Sequence, residues 1–327
     1  MAGYIAEFFG YDSTDKSEQS LTAAAQRHCP FVNASCMKTL GHERQQVASG
    51  ACAVRQIKSD EPIICCPQRL YADDNQMLRI VGEMAFGRSD LGYYSGTVAV
   101  GRAVAEGGAI AVFGQGWGGE LRLPKRTVDG EKVGNYFMDW VLARLDDNGV
   151  MIEFTAIEVQ TIDTTGNYRA SRDALLHGRN MKSSSVGLNW ENVNKRILPQ
   201  LIYKGQVLQR ERRCRSGLWF VTPEPVFQRI QTRLGGADNV GYGFPSQPGA
   251  IHFLRYDYDR TSRQVDGVPR PLAVIGCETT TVERVNAAFG HVVLPEAGVY
   301  ESALREALGF PNHGVSVEFG SALDVRT

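Results

Sequence analysis

The first chemical signal comes from two acids and an amide. Between Asp139 and Gln160, two apolar, β-prone arms flank Asn148-Gly149, the strongest short hairpin signal in the chain. With those two residues as the turn, Asp147 pairs with Val150 and every cross-strand pair sums to 297, so Asp139 lies opposite Glu158. Directly opposed Cβ atoms sit roughly 4.5–5.5 Å apart. Side chains alternate along a strand, so Glu158 and Gln160 share one face. A four-residue turn keeps Asp139 on that face, whereas a three-residue turn puts it on the other. Two carboxylates opposed on an apolar ribbon repel unless a cation lies between them. Mg²⁺ suits that place, since it takes oxygen ligands at roughly 2.0–2.1 Å and keeps water for chemistry. Gln160 then offers a neutral hydrogen-bonding group to substrate or water. Glu120, after the bend GQGWGG, is a further candidate acid. The plainer alternatives are solvated acids, or ion pairs with Arg122 or Arg144.

The cysteines are the second signal. Five of the seven fall between 29 and 66, in the order Cys29, Cys36, Cys52, Cys65, Cys66. Without an export signal, clustered thiols read as metal ligands rather than disulfides. Four thiolates closing a tetrahedron suit Zn²⁺ or a single iron, and leave no open position for a substrate, so the role is structural. Cys65 and Cys66 are adjacent and must point different ways. Cys66 is the expected fourth ligand, because Pro67 stiffens the turn after it. His28 and His42 are alternative donors. The bland reading is that the thiols are small buried hydrophobes.

These residues need elements to hold them. Residues 1–75 have few long apolar runs, so a metal clip would supply missing stability. That divides the chain into a module at 1–75 and a core at 76–327. QMLRIVGEMAFG has helical spacing, while SGTVAVGRAV and GGAIAVFG read as β-like runs broken by glycine. PLAVIGCETT is a strand candidate and 282–289 a helix. Residues 165–235 carry 13 lysines and arginines against 4 acids, a local +9 that suits phosphate neutralisation. Arginine matches guanine O6 and N7 in the major groove. Arg169, Arg172, Arg179, Lys182, Lys195 and Arg196 are therefore DNA-contact candidates, with Asn189, Asn192 and Asn194 as amide partners. A solvated basic face is the commoner meaning of scattered arginines.

Composition narrows the class. The 327 residues carry a net charge of -1 and are 43% hydrophobic and 22% charged, which excludes collagen-like, coiled-coil and disordered readings. No stretch approaches the ~20 apolar residues of a membrane span. The opening MAGYIAEFFGYDSTDK has neither a basic n-region nor a long apolar h-region, so no secretory leader is expected. The glycines near 116–119 match neither a Walker A loop nor a dinucleotide fingerprint.

The pattern D…E-x-Q is a variant of D…(D/E)-x-K, the constellation of metal-dependent nucleases. Together with IAEFFGY, HCPF, ACAV, CPQRL, FMDW, AIEVQTIDTTGNY, NWENVNKRILPQLIYKG and GLWFVTPEPVF in this order, it makes the chain resemble the NotI-like family of type II restriction endonucleases over about 5–230. The resemblance implies an α/β fold: a PD-(D/E)xK restriction-endonuclease-like core with a mixed central sheet flanked by helices, plus an N-terminal metal-binding module with four cysteine ligands. It implies a cytoplasmic, prokaryotic homodimer that cuts double-stranded DNA at a GC-rich palindrome with Mg²⁺. Carried over position by position, Asp139, Glu158 and Gln160 are catalytic, with Glu120 beside them. Asp139 and Glu158 hold Mg²⁺, and Cys29, Cys36, Cys52 and Cys66 hold iron or zinc. Gln160 in place of lysine keeps open a catalytically silent, metal-stapled DNA-binding protein, and a repair or structure-selective nuclease could share the same core.

Overall fold

Strands drawn from residues 93 to 281 assemble into one seven-stranded mixed sheet. The computed structural model describes residues 3–41, 46–57, 59, 61–121, 126–128, 131–133, 137–291 and 296–309. His42 and Arg122 lie outside the described residues. In chain order the main elements are β1 (Gly3–Phe8), α1 (Glu18–Gln26), β2 (Ala51–Gln56), β3 (Ile63–Ile64), α2 (Ala72–Phe86), β4 (Tyr93–Ser95), α3 (Val98–Glu106), β5 (Ala109–Gly114), β6 (Trp140–Leu145) and β7 (Met151–Val159). There follow α4 (Arg169–Leu176), α5 (Leu198–Leu208), β8 (Leu218–Pro223), α6 (Glu224–Arg233), β9 (Ala250–Tyr258), β10 (Leu272–Thr281) and α7 (Val282–Gly290). These lie in a compact unit, Met1–His291, and a second unit, Val292–Thr327, carries α8 (Val299–Ala307).

The sheet order is β10-β9-β8-β7-β6-β5-β4. Strands β7, β8 and β9 run parallel, as do β4 and β5, and the remaining pairs are antiparallel. Parallel neighbours need crossovers, and α5 and α6 supply them after β7 and β8. Both sheet faces are apolar because both are covered. On one face Ala156, Leu218, Phe220, Ile251 and Phe253 pack with Leu198 and Leu201 of α5, Phe227 and Ile230 of α6, and Val285 of α7. On the other, Ile157, Val159, Trp219, Val221 and Leu254 pack with Met77, Leu78 and Val81 of α2.

The first 75 residues are drawn into the same interior. Ile5, Phe8, Phe9, Ala51 and Val54 share a core cluster with Tyr168, Leu175 and Leu201. One expectation changes. SGTVAVGRAV is not a strand: most of it forms α3, because Ala99 and Ala103 sit four apart and bury one helical face. Its alternating valines 98, 100 and 104 face outward. GGAIAVFG does give β5, PLAVIGCETT gives β10, and 282–289 lies within α7. Among the described residues no helix is long and apolar enough to cross a membrane.

Candidate active site

The hairpin of β6 and β7 sets the site. Its register runs Trp140↔Ile157, Val141↔Ala156, Leu142↔Thr155, Ala143↔Phe154 and Arg144↔Glu153, each pair summing to 297 as the sequence predicts. The turn differs from expectation. Asp146 and Val150 close it, with Asp146 N–H donating to Val150 O at 3.0 Å, so the loop has three residues. Gly149 takes φ +75, which an L side chain rarely adopts. The Asp146 carboxylate caps this loop by accepting from the Asn148 and Val150 amides. A three-residue loop alone would have turned Asp139 to the wrong face. A bulge corrects it: Leu145 pairs with Met151 and Arg144 with Glu153, leaving Ile152 as the surplus residue.

Asp139 stands just before β6 and Glu158 near the end of β7. They continue the ladder through their carboxylates. The Asp139 N–H donates to Glu158 Oε1 at 3.4 Å, and the Val159 N–H donates to Asp139 Oδ2 at 2.8 Å. Asp139 keeps some surface exposed, yet desolvation by the protein around it raises its carboxyl from the usual value, with Glu120 adding and the Val159 amide and Lys204 opposing. Burial pushes Glu158 up to about 7, with Asp139 contributing and Lys204 opposing. The acids thus repel one another through a site that disfavours charge. Glu120 is exposed after the bend that closes β5, where Gly114 N–H donates to Trp117 O. Arg144 plays no part here, because it pairs with Glu153 at 2.7 Å.

Gln160 is half-buried just past the end of β7. Its Nε2 donates to Thr161 O at 2.7 Å, and its backbone is pinned to β8 by Val221 O and by the Thr222 hydroxyl. Sequence reasoning missed two residues. Lys204, from α5, puts Nζ 2.6 Å from Glu158 Oε2. Tyr71 accepts a hydrogen bond from Trp140 Nε1 at 3.2 Å, and burial, with Asp139 and Glu158 adding, pushes its hydroxyl up to about 12. Lys204 sits 46 positions from Glu158 on a helix, beyond the reach of strand spacing. An otherwise apolar helical stripe interrupted by a lysine was the available signal.

The cysteine frame is built from short ladders. Cys29 lies on a two-residue strand paired with Ala34–Ser35, Cys52 on β2, and Cys66 immediately before the short 3₁₀ helix Pro67–Tyr71. Cys29, Cys36, Cys52 and Cys66 line one small cavity. A hydrogen bond from Cys52 draws the Cys66 thiol down to about 7, against its burial and with help from Lys38 and Arg69. Burial pushes Cys29 and Cys36 up. Cys65 faces the main core instead, with Lys38 Nζ 3.2 Å from its sulfur. Among the described residues no three His, Cys, Asp or Glu side chains have the mutual geometry of a metal site. The donor chemistry still fits both ions: soft thiols around one cavity, and hard oxygens at Asp139, Glu158 and Glu120.

The basic segment splits in two. Arg172 and Arg179 are buried. Arg172 Nε donates to Ala48 O, while Arg179 donates to the carbonyls of Asp12, Phe8 and Ser20. Both guanidiniums tie α4 and the residues after it to carbonyls of the first 50 residues, which takes them off the accessible basic surface. Lys182, Lys195 and Arg196 are exposed, and Arg169 and Asn189 are half-buried. Arg196 and Asn192 gather on Asp163, at 3.7 and 2.6 Å, just beyond Gln160, and Lys195 pairs with Glu191. Asn194 is half-buried.

A family model described as "Restriction endonuclease NotI" matches residues 16–232, more than half of the chain and all of the residues just described except Phe8, Asp12 and the first strand. No curated protein sequence gives a match.

Proposed function

Because the chain belongs to the NotI restriction endonuclease family, we propose that it is a type II restriction endonuclease acting as a homodimer on a GC-rich palindrome in double-stranded DNA, with Mg²⁺. The observation that carries this reading is the pair of backbone bonds at this end of the hairpin, in which the Asp139 N–H donates to Glu158 and the Val159 N–H donates to Asp139. Two hard carboxylates, each accepting a backbone N–H, are thereby held at one end of the hairpin. They would hold the Mg²⁺, with Glu120 close by. Such an ion, when bound, lowers the pKa of water and stabilises charge on a scissile phosphate. The chain's own part is positional. The ladder sets the spacing of the acids, and the covering helices limit the water around Glu158. A basic rim of Lys182, Lys195 and Arg196, with Arg169, Asn189 and Asn192, would neutralise phosphates and offer donors to guanines. A palindromic site calls for two-fold symmetry, hence the homodimer.

We place a structural iron or zinc at Cys29, Cys36, Cys52 and Cys66. Four thiolates would complete its shell, so this ion would hold the fold and take no part in hydrolysis. The decisive experiment is digestion of plasmid and genomic DNA with Mg²⁺, followed by run-off sequencing of the ends. Discrete fragments ending at one repeated GC-rich palindrome are expected. Random ends, or cutting only at damaged or branched DNA, would overturn the reading.

A further inference from the structure

The acids of the proposed nuclease have no cation from their own strand. Gln160 carries no charge, and its amide is committed to Thr161 O. The positive charge arrives from α5. That helix buries Leu198, Leu201, Ile202, Gly205 and Leu208 against the sheet, a stripe at helical spacing. Lys204 lies beside this stripe and is itself buried. At Gly205 a Cβ would stand 2.9 Å from Val282 Cγ2, so glycine lets α5 pack this close. A lysine is almost never buried without a partner. Here the partner is Glu158, with side chains only 7% and 12% exposed at a separation of 2.6 Å. Glu158 Oε1 accepts from the Asp139 amide, so donors fix both oxygens of one carboxylate.

We infer that Lys204 is the lysine of this site: a positioning residue that supplies from a helix the charge Gln160 cannot supply from the strand. It orients Glu158 and offsets one of two facing carboxylates. This rests on the nuclease reading above. A merely structural ion pair behaves differently, since replacing one by apolar groups is often neutral once both partners go, and a lysine placed elsewhere would not repair its loss.

The test compares wild type with Lys204→Met, Lys204→Arg and the double variant Lys204→Met/Gln160→Lys. Plasmid cleavage with Mg²⁺ is measured beside thermal melting and DNA binding in Ca²⁺. Lys204→Met should lower kcat on the order of 100-fold with DNA affinity retained, the usual scale for one preorganised electrostatic contact. Arginine at 204, or lysine at 160 on Glu158's own face, should restore at least about tenfold of that loss. Cleavage by Lys204→Met at the wild-type rate overturns the inference, and so does failure of both rescues in folded protein. Should the methionine variant not fold, Lys204→Gln, which can still donate to Glu158, carries the same comparison. A wild-type protein that cuts no DNA overturns the nuclease reading itself, and this inference with it.

Discussion

The Asp139 backbone donates to the carboxylate of Glu158, so the two acids are registered to each other by main chain and not by side-chain chance. Asp139→Ala or Glu158→Ala should therefore abolish cleavage, by at least about 100-fold, while leaving DNA binding in Ca²⁺ near wild type. A gel-shift assay beside a cleavage time course checks this. Wild-type rates in either variant would remove that residue from the site.

Glu158 also makes stability depend on pH. Its folded value of about 7 lies above the ordinary 4.5, chiefly through burial. In that interval the folded protein keeps a proton that the unfolded chain has released, so stability falls as pH rises. The cost is absent below the unfolded value and fully expressed above the folded one, at up to about 3 kcal/mol. Metal-free wild type should thus lose ground to Glu158→Gln as pH climbs from about 4 to about 8. A constant difference in melting temperature across that range would show the carboxyl is not perturbed.

Arg179 predicts a structural phenotype. It donates to three carbonyls that lie in β1, beyond its end and in α1. Arg179→Met would strand those acceptors and should cost on the order of 3 kcal/mol, with little change in DNA affinity once folded. Chemical denaturation measures the first and salt-dependent binding the second.

Cys65 and Cys66 should separate in metal content. Elemental analysis is expected to find one iron or zinc per chain. Cys66→Ser should lose it, whereas Cys65→Ser should retain it, because only Cys66 of the two lines the cavity shared with Cys29, Cys36 and Cys52. Equal loss from both would point to a different donor set.

The surplus residue of the hairpin gives a further expectation. Removing Ile152 leaves Arg144–Glu153 and all pairs through Trp140–Ile157 as partners. That deletion should retain cleavage, with circular dichroism unchanged. Loss of activity in a folded deletion variant would mean the bulge itself shapes the site.

The hairpin register is legible in the sequence because a period of two and a strong turn dipeptide constrain each other. The turn itself is not, since a three-residue loop and a bulge together give the same sum as a two-residue loop with none. Strand β5 and helix α7 are readable from local pattern, but α3 is not: its alternating valines imitate a strand while two alanines do the packing. Lys204 is invisible for another reason. A partner brought by a crossover helix leaves no periodic trace near Glu158. Arg172 and Arg179 mislead because charge in a sequence says nothing about which carbonyls a fold will aim at it.

Those interior cations have a last consequence. Arg172, Arg179 and Lys204 are three of the 13 cationic side chains between 165 and 235, and all three are sequestered from solvent. Held in this way, they would not neutralise a phosphate or replace a condensed sodium ion on a duplex. The slope of log affinity against log salt, which grows by roughly 0.9 per phosphate neutralised, should accordingly be shallower than the raw tally of basic residues suggests.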